Sequence, residues 1–65
     1  MTYYQKLITV RAMKQYGGSF VKALAEALLM ADGSNTARIR GAFTDYMAKY
    51  GPGSDMYAAV EKVEA

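Results

Sequence analysis

Apolar side chains along this chain recur mainly at three- and four-residue spacings, the period of an α-helix, between clusters of glycine. The cleanest stretch runs over about 35–50. There Ile39, Ala42, Phe43, Tyr46, Met47 and Tyr50 stand at i, i+3, i+4, i+7, i+8 and i+11, with Arg38, Thr44, Asp45 and Lys49 off the stripe. That spacing predicts one amphipathic helix. Residues 19–31 are apolar nearly all round, Lys22 and Glu26 being the only charges. A helix of that kind lies between others, so this one is expected at the centre. Residues 2–16 align Tyr3, Leu7 and Val10 beside Tyr4, Ile8 and Ala12, and Arg11, Lys14 and Gln15 intrude late. The first half of that helix is therefore expected to be buried and the second half partly exposed. Residues 55–64 place Met56, Val60 and Val63 on one side, with Tyr57 and Ala59 flanking. So short a helix forms only when docked.

The breaks fall at Gly17-Gly18, Asp32-Gly33-Ser34 and Gly51-Pro52-Gly53-Ser54. Each precedes a residue suited to cap a helix: Ser19, then Ser34 or Asn35, then Ser54. The valines, isoleucines and threonines are scattered and never form the alternation of a strand. The expectation is an all-α fold: three main helices at about 2–16, 19–31 and 35–50, and a short C-terminal one at about 55–64, in a single domain over 1–65.

Length sharpens this picture. A chain of 65 residues buries only roughly 60% of its unfolded surface, and small proteins usually supplement such a core with a disulfide, a metal or a partner. The sequence holds no cysteine and no histidine. No disulfide framework, thiolate or imidazole zinc site, or haem and iron–sulfur ligation follows from it. Helix packing and self-association are left. The start, Met1 to Lys6, lacks the apolar core of a signal peptide, and the apolar run Phe20–Ala31 is too short to span a bilayer. A soluble, cytoplasmic protein with no membrane partner is expected.

Charge is mild, +2 net, but unevenly spread. Lys6, Arg11 and Lys14 carry the first sixteen residues without an acid, and the tail after Pro52 is net negative through Asp55, Glu61 and Glu64. Such asymmetry suits head-to-tail self-association. The chemistry of catalysis is missing. Without histidine there is no base for a serine or cysteine triad, the six acids are dispersed, and neither GxxxxGK[ST] nor GxGxxG occurs. No catalytic residue, cofactor site, metal site or small-molecule substrate is expected.

Two binding chemistries remain. Residues 31–43 resemble the helix-turn-helix family: Gly33 stands at the turn and Ile39 six positions later, with Asn35, Arg38 and Arg40 on the following helix. The resemblance implies DNA contact by those residues, with Lys49 as a further cation for nucleic acid or an acidic partner. Leu29 stands where that family wants a small residue, and Arg38 and Arg40 diverge by about 200° around a helix. Protein contact draws on more of the chain. Ala37, Gly41 and Ala48 gather opposite the apolar stripe, and glycine inside a helix suits close approach of another backbone. Six tyrosines and five methionines exceed what so small a core holds. Tyr3, Tyr4, Met13, Tyr16 and Tyr57 are therefore candidates for an interface with a protein partner or a second copy.

The run Gly17-Gly18-Ser19-Phe20-Val21, then Ala23-Leu24-Ala25-Glu26-Ala27, Ala31-Asp32, Asn35, Arg38-Ile39 and Ala42-Phe43, resembles short proteins encoded in bacteriophage and prophage genomes. The similarity spans about residues 16–50. It implies a provenance and a mode of action by binding, to a host protein, a DNA site or its own kind, with no assigned catalytic activity.

Overall fold

A computed structural model describes residues 1–64. Among these, all regular structure is helical: α1 (Tyr3–Tyr16), α2 (Ser19–Met30), α3 (Gly33–Ala42), α4 (Thr44–Tyr50) and α5 (Asp55–Glu64). The Cα radius of gyration is 10.5 Å, close to the roughly 10.7 Å of a compactly folded chain of this length. No described helix is long and apolar enough to cross a membrane.

The centre of the bundle is α1, where α2 was expected. Helix α1 packs against α2, α4 and α5, whereas α2 lies against α1 and α3 and meets α4 through the Phe20 ring. Ile8, Thr9, Val10, Ala12 and Met13 are all buried, and at 100° per residue they cover more than half the helix circumference. Burial along α1 departs from expectation in the first half only, since Arg11, Lys14, Gln15 and Tyr16 leave the second half partly exposed, as expected. Tyr3 and Tyr4 overhang the bundle and are exposed, while the enclosed residues lie between Ile8 and Met13. The cause is the Gly17-Gly18 turn, which folds α2 back antiparallel over α1. A Cβ on Gly17 would lie 2.6 Å from the Met13 carbonyl oxygen and 2.6 Å from Val21 Cβ, so only glycine permits so close a return.

Thr2 starts α1 with a reciprocal capping box: the Gln5 N–H donates to Thr2 Oγ1 at 3.1 Å, and the Thr2 N–H donates to Gln5 Oε1 at 2.8 Å. Helix α2 begins without a side-chain cap, Ser19 being its first helical residue. At its other end the Ala31 carbonyl accepts from Lys6 Nζ at 2.5 Å, a cation where the helix dipole favours one. Asp32, rather than Ser34 or Asn35, caps α3, accepting the Asn35 N–H at 2.8 Å.

The predicted helix over 35–50 is two helices. Phe43 leaves helical geometry at φ −124°, ψ 53°, and the pieces find different neighbours: α3 touches α2, and α4 touches α1 and α5. A straight rod cannot serve both. Gly41 weakens the helix just before the break, and Asp45 in the first turn of α4 suits a new N-terminus.

The connection to α5 is a type II turn. The Ser54 N–H donates to the Gly51 carbonyl at 3.0 Å, Pro52 takes the first corner, and Gly53 takes φ +93° at the second. Ser54 then caps α5 as expected, accepting the Tyr57 N–H at 3.2 Å. Helix α5 docks on α1 and α4 through Tyr57 and Val60. Val63, predicted on the core side, is 84% exposed. The core thus joins α1 and α2 to Tyr50, Tyr57 and Val60, with Ile39, Phe43, Tyr46, Met47 and Met56 packed against it. Two exposed ion pairs, Arg11–Glu64 and Lys14–Glu26, tie α1 to α5 and to α2.

Candidate protein-interaction surface

Once α2 has buried Val21, Leu24, Ala25 and Leu28, its opposite side is left uncovered. Phe20, Ala23, Ala27 and Met30 are all exposed, Phe20 at 56% and Met30 at 82%. Their spacing of three, four and three residues keeps them within an arc of about 80°. The sequence pattern had assigned this whole helix to the interior. Helix α3 leaves the stripe open because it contributes no buried residue and lies beside the end of α2.

At its N-terminal end the stripe runs into an aromatic cluster. The rings of Phe20, Phe43 and Tyr46 form a triangle with every centroid separation at 6.0 Å, and Tyr46 continues to Tyr50 at 6.5 Å. The break at Phe43 places two of these rings beside Phe20. Their tilted and offset geometry is the favourable one for aromatic pairs. Lys49, expected as a contact for nucleic acid or an acidic partner, sits over the Tyr50 ring at 5.6 Å.

A second apolar area lies where the end of α1 meets α5. An open groove of about 580 Å3 is lined by Arg11, Lys14, Tyr16, Ala59, Val63 and Glu64, among others. Its cations are engaged within the chain by Glu64 and Glu26. The basic first helix and the acidic tail thus meet intramolecularly through Arg11 and Glu64. Tyr4 lies near Glu61 of α5. Partial desolvation and then the Glu61 carboxylate push its hydroxyl above the ordinary pKa of 10.0, with Tyr57 and Glu64 adding. Burial, followed by Glu61, pushes Tyr57 up as well.

The proposed interface residues divide. Tyr3, Tyr4, Tyr16, Ala37, Gly41 and Ala48 are on the surface. Met13 and Tyr57 are in the core, Met13 fully enclosed, because α1 is surrounded and α5 docks by its aromatic side. Ala48 is separated from Ala37 and Gly41 by the break at Phe43, so the three belong to two helices. The stripe Phe20, Ala23, Ala27 and Met30 was missed. Its signal was present in the sequence as a regular three-four-three spacing.

The candidate DNA contacts Asn35, Arg38 and Arg40 are exposed on α3. Gly33 does not act as a left-handed turn residue, since Gly53 alone among the described glycines has positive φ; Gly33 is the first residue of α3. The Asp32 carboxylate also occupies the N-terminus of α3, where a phosphate would otherwise be favoured. Among the described residues no group of three or more metal-ligating side chains gathers. No protein-family model matches this chain, and neither the curated proteins nor the solved structures compared with it match it.

Proposed function

We propose that this chain is a non-catalytic binding protein that acts by pressing exposed helical faces against protein, including its own kind. It serves as an accessory or host-modulating factor of the phage and prophage proteins it resembles. One observation carries the reading: the core closes without Phe20, Met30, Tyr3, Tyr4, Tyr16 and Val63, which remain exposed on α1, α2 and α5. Single exposed apolar residues are ordinary, but the alignment of Phe20, Ala23, Ala27 and Met30 beside an aromatic cluster makes a contiguous patch. Contiguous patches mark contact sites. A chain whose own core is small gains most from covering such area.

The test compares the native chain with Y4S/Y16S and M30S variants, by solution mass and by retention of proteins from the native host on immobilised chain. Loss of self-association or retention in either variant supports the reading. Unchanged mass and unchanged retention in both variants defeat it.

DNA binding is a second reading, favoured by the exposure of Asn35, Arg38 and Arg40 on α3. Titration against duplex DNA decides it. Phosphate-driven binding weakens steeply as salt rises, and no binding at low salt removes the reading.

A further inference from the structure

The exposed stripe of α2 reads the same in both directions. Phe20, Ala23, Ala27 and Met30 run large, small, small, large, symmetric about position 25. We propose that the occupant of this face is α2 of a second copy, running antiparallel about a two-fold axis level with residue 25. This deepens the preceding reading of the exposed patch as a contact surface, and rests on it.

Three features select that occupant. The symmetry places Phe20 opposite the second copy's Met30, and Ala23 opposite its Ala27, at both ends of one isologous contact. The alanines let the two helices approach to about 8 Å, the short end of the usual range. The second feature is a receptor for Met30. The rings of Phe20, Phe43 and Tyr46, mutually 6.0 Å apart, form a surface on which a thioether packs favourably. Met30 itself is 82% exposed.

Charge provides the third and fixes the direction. Lys22 and Glu26 are exposed on one flank of the stripe, four residues apart. In the antiparallel pair, Lys22 of one copy and Glu26 of the other lie within about 3 Å of each other along the axis. This happens twice. A parallel two-fold pair instead places the two Lys22–Glu26 flanks on opposite sides of the contact, so neither charge meets its complement. Lys14 already pairs with Glu26 within the chain, and a second cation extends that pair into a small network.

Because the chain has no cysteine, introduced thiols report the geometry directly. Solution mass is first followed from roughly 10 µM to about 1 mM, the range that brackets weak interfaces. Oxidation of an equal mixture of F20C and M30C chains is expected to yield the mixed disulfide. M30C alone is expected to yield none, because antiparallel pairing separates its two thiols by about 15 Å along the axis. K22E is expected to weaken dimerisation by about tenfold, replacing two attractions with two repulsions, and K22E/E26K to recover most of it. Helical ellipticity verifies that each variant folds.

A disulfide in M30C alone overturns the antiparallel register. A dimer indifferent to both K22E and M30E overturns the α2 contact while leaving self-association through another face intact. A chain that stays monomeric throughout overturns the second copy. If such a monomer still retains a host protein that M30S releases, the contact-surface reading survives without it.

Discussion

Gly17 and Gly41 are expected to respond oppositely to the same substitution. Gly17 has φ −86°, ψ 161°, extended backbone that alanine adopts without strain. Backbone freedom is therefore not what glycine provides there. A Cβ would overlap Val21, at 2.6 Å from its Cβ with Cγ1 nearer still, and would lie 2.6 Å from the Met13 carbonyl oxygen. Both obstacles are fixed: Val21 is buried, and the Met13 carbonyl accepts the Gly17 N–H at 2.9 Å. Gly17→Ala must push α2 away from α1 at the turn that closes the bundle, an overpacking cost of about 1–3 kcal/mol. Gly41 is helical, and a Cβ there meets nothing within 4 Å. Gly41→Ala removes backbone freedom from the unfolded chain and is expected to stabilise by about 0.5–1 kcal/mol. Each kcal/mol shifts the melting midpoint of a domain this small by roughly 4–8 °C. Thermal and urea melts followed at 222 nm read both changes. A neutral or stabilising Gly17→Ala would refute the close packing of α2 on α1. A destabilising Gly41→Ala would show that α3 is covered in solution by something absent from the isolated chain.

Leu28 is fully enclosed between α2 and the core, so Leu28→Ala is expected to cost about 2–5 kcal/mol. That approaches the roughly 3–5 kcal/mol that a core of this size supplies, and the variant should lose cooperative melting. Asp32→Ala removes the cap of α3 at about 0.5–2 kcal/mol. Because α3 contributes no fully buried residue and holds to the core mainly through Ile39, hydrogen exchange should quicken over residues 33–42 while the core amides of α1 stay protected. The raised pKa of Tyr57 and Tyr4 means that the folded chain holds these protons more tightly than the unfolded one. The associated stability is complete below the ordinary value of 10.0 and is lost as pH climbs through the folded-state value. The urea midpoint should therefore fall above about pH 10. Tyr57→Phe should lessen that fall, and Glu61→Gln should bring tyrosinate absorbance in at lower pH. A midpoint flat to alkaline pH counts against the packing of α5 on α1.

Much of this architecture was legible along the chain. Helical periodicity, the glycine breaks and Ser54 located the helices to within a few residues, since periodicity and capping are local properties. The capping box at Thr2 and Gln5 and the aspartate cap at Asp32 are equally local features of the chain. Which helix lies at the centre was not local. Composition favoured α2, rich in leucine and alanine, yet α1 is surrounded because three other helices reach it, burying even Thr9. The threonine hydroxyl donates to the Gln5 carbonyl at 2.8 Å, so a polar side chain is accommodated without loss.

Chain order alone determined an all-helical fold with tight glycine corners, since spacing, caps and breakers act over a few residues. Tertiary packing alone decided where the long helix bends. The stripe from Ile39 to Tyr50 is continuous in sequence, but its halves serve different neighbours, and Phe43 yields so that both can dock. Tertiary packing also decided which apolar residues stay outside. Helix α2 has more apolar surface than its neighbours cover, and what remains, from Phe20 to Met30, is available for contact.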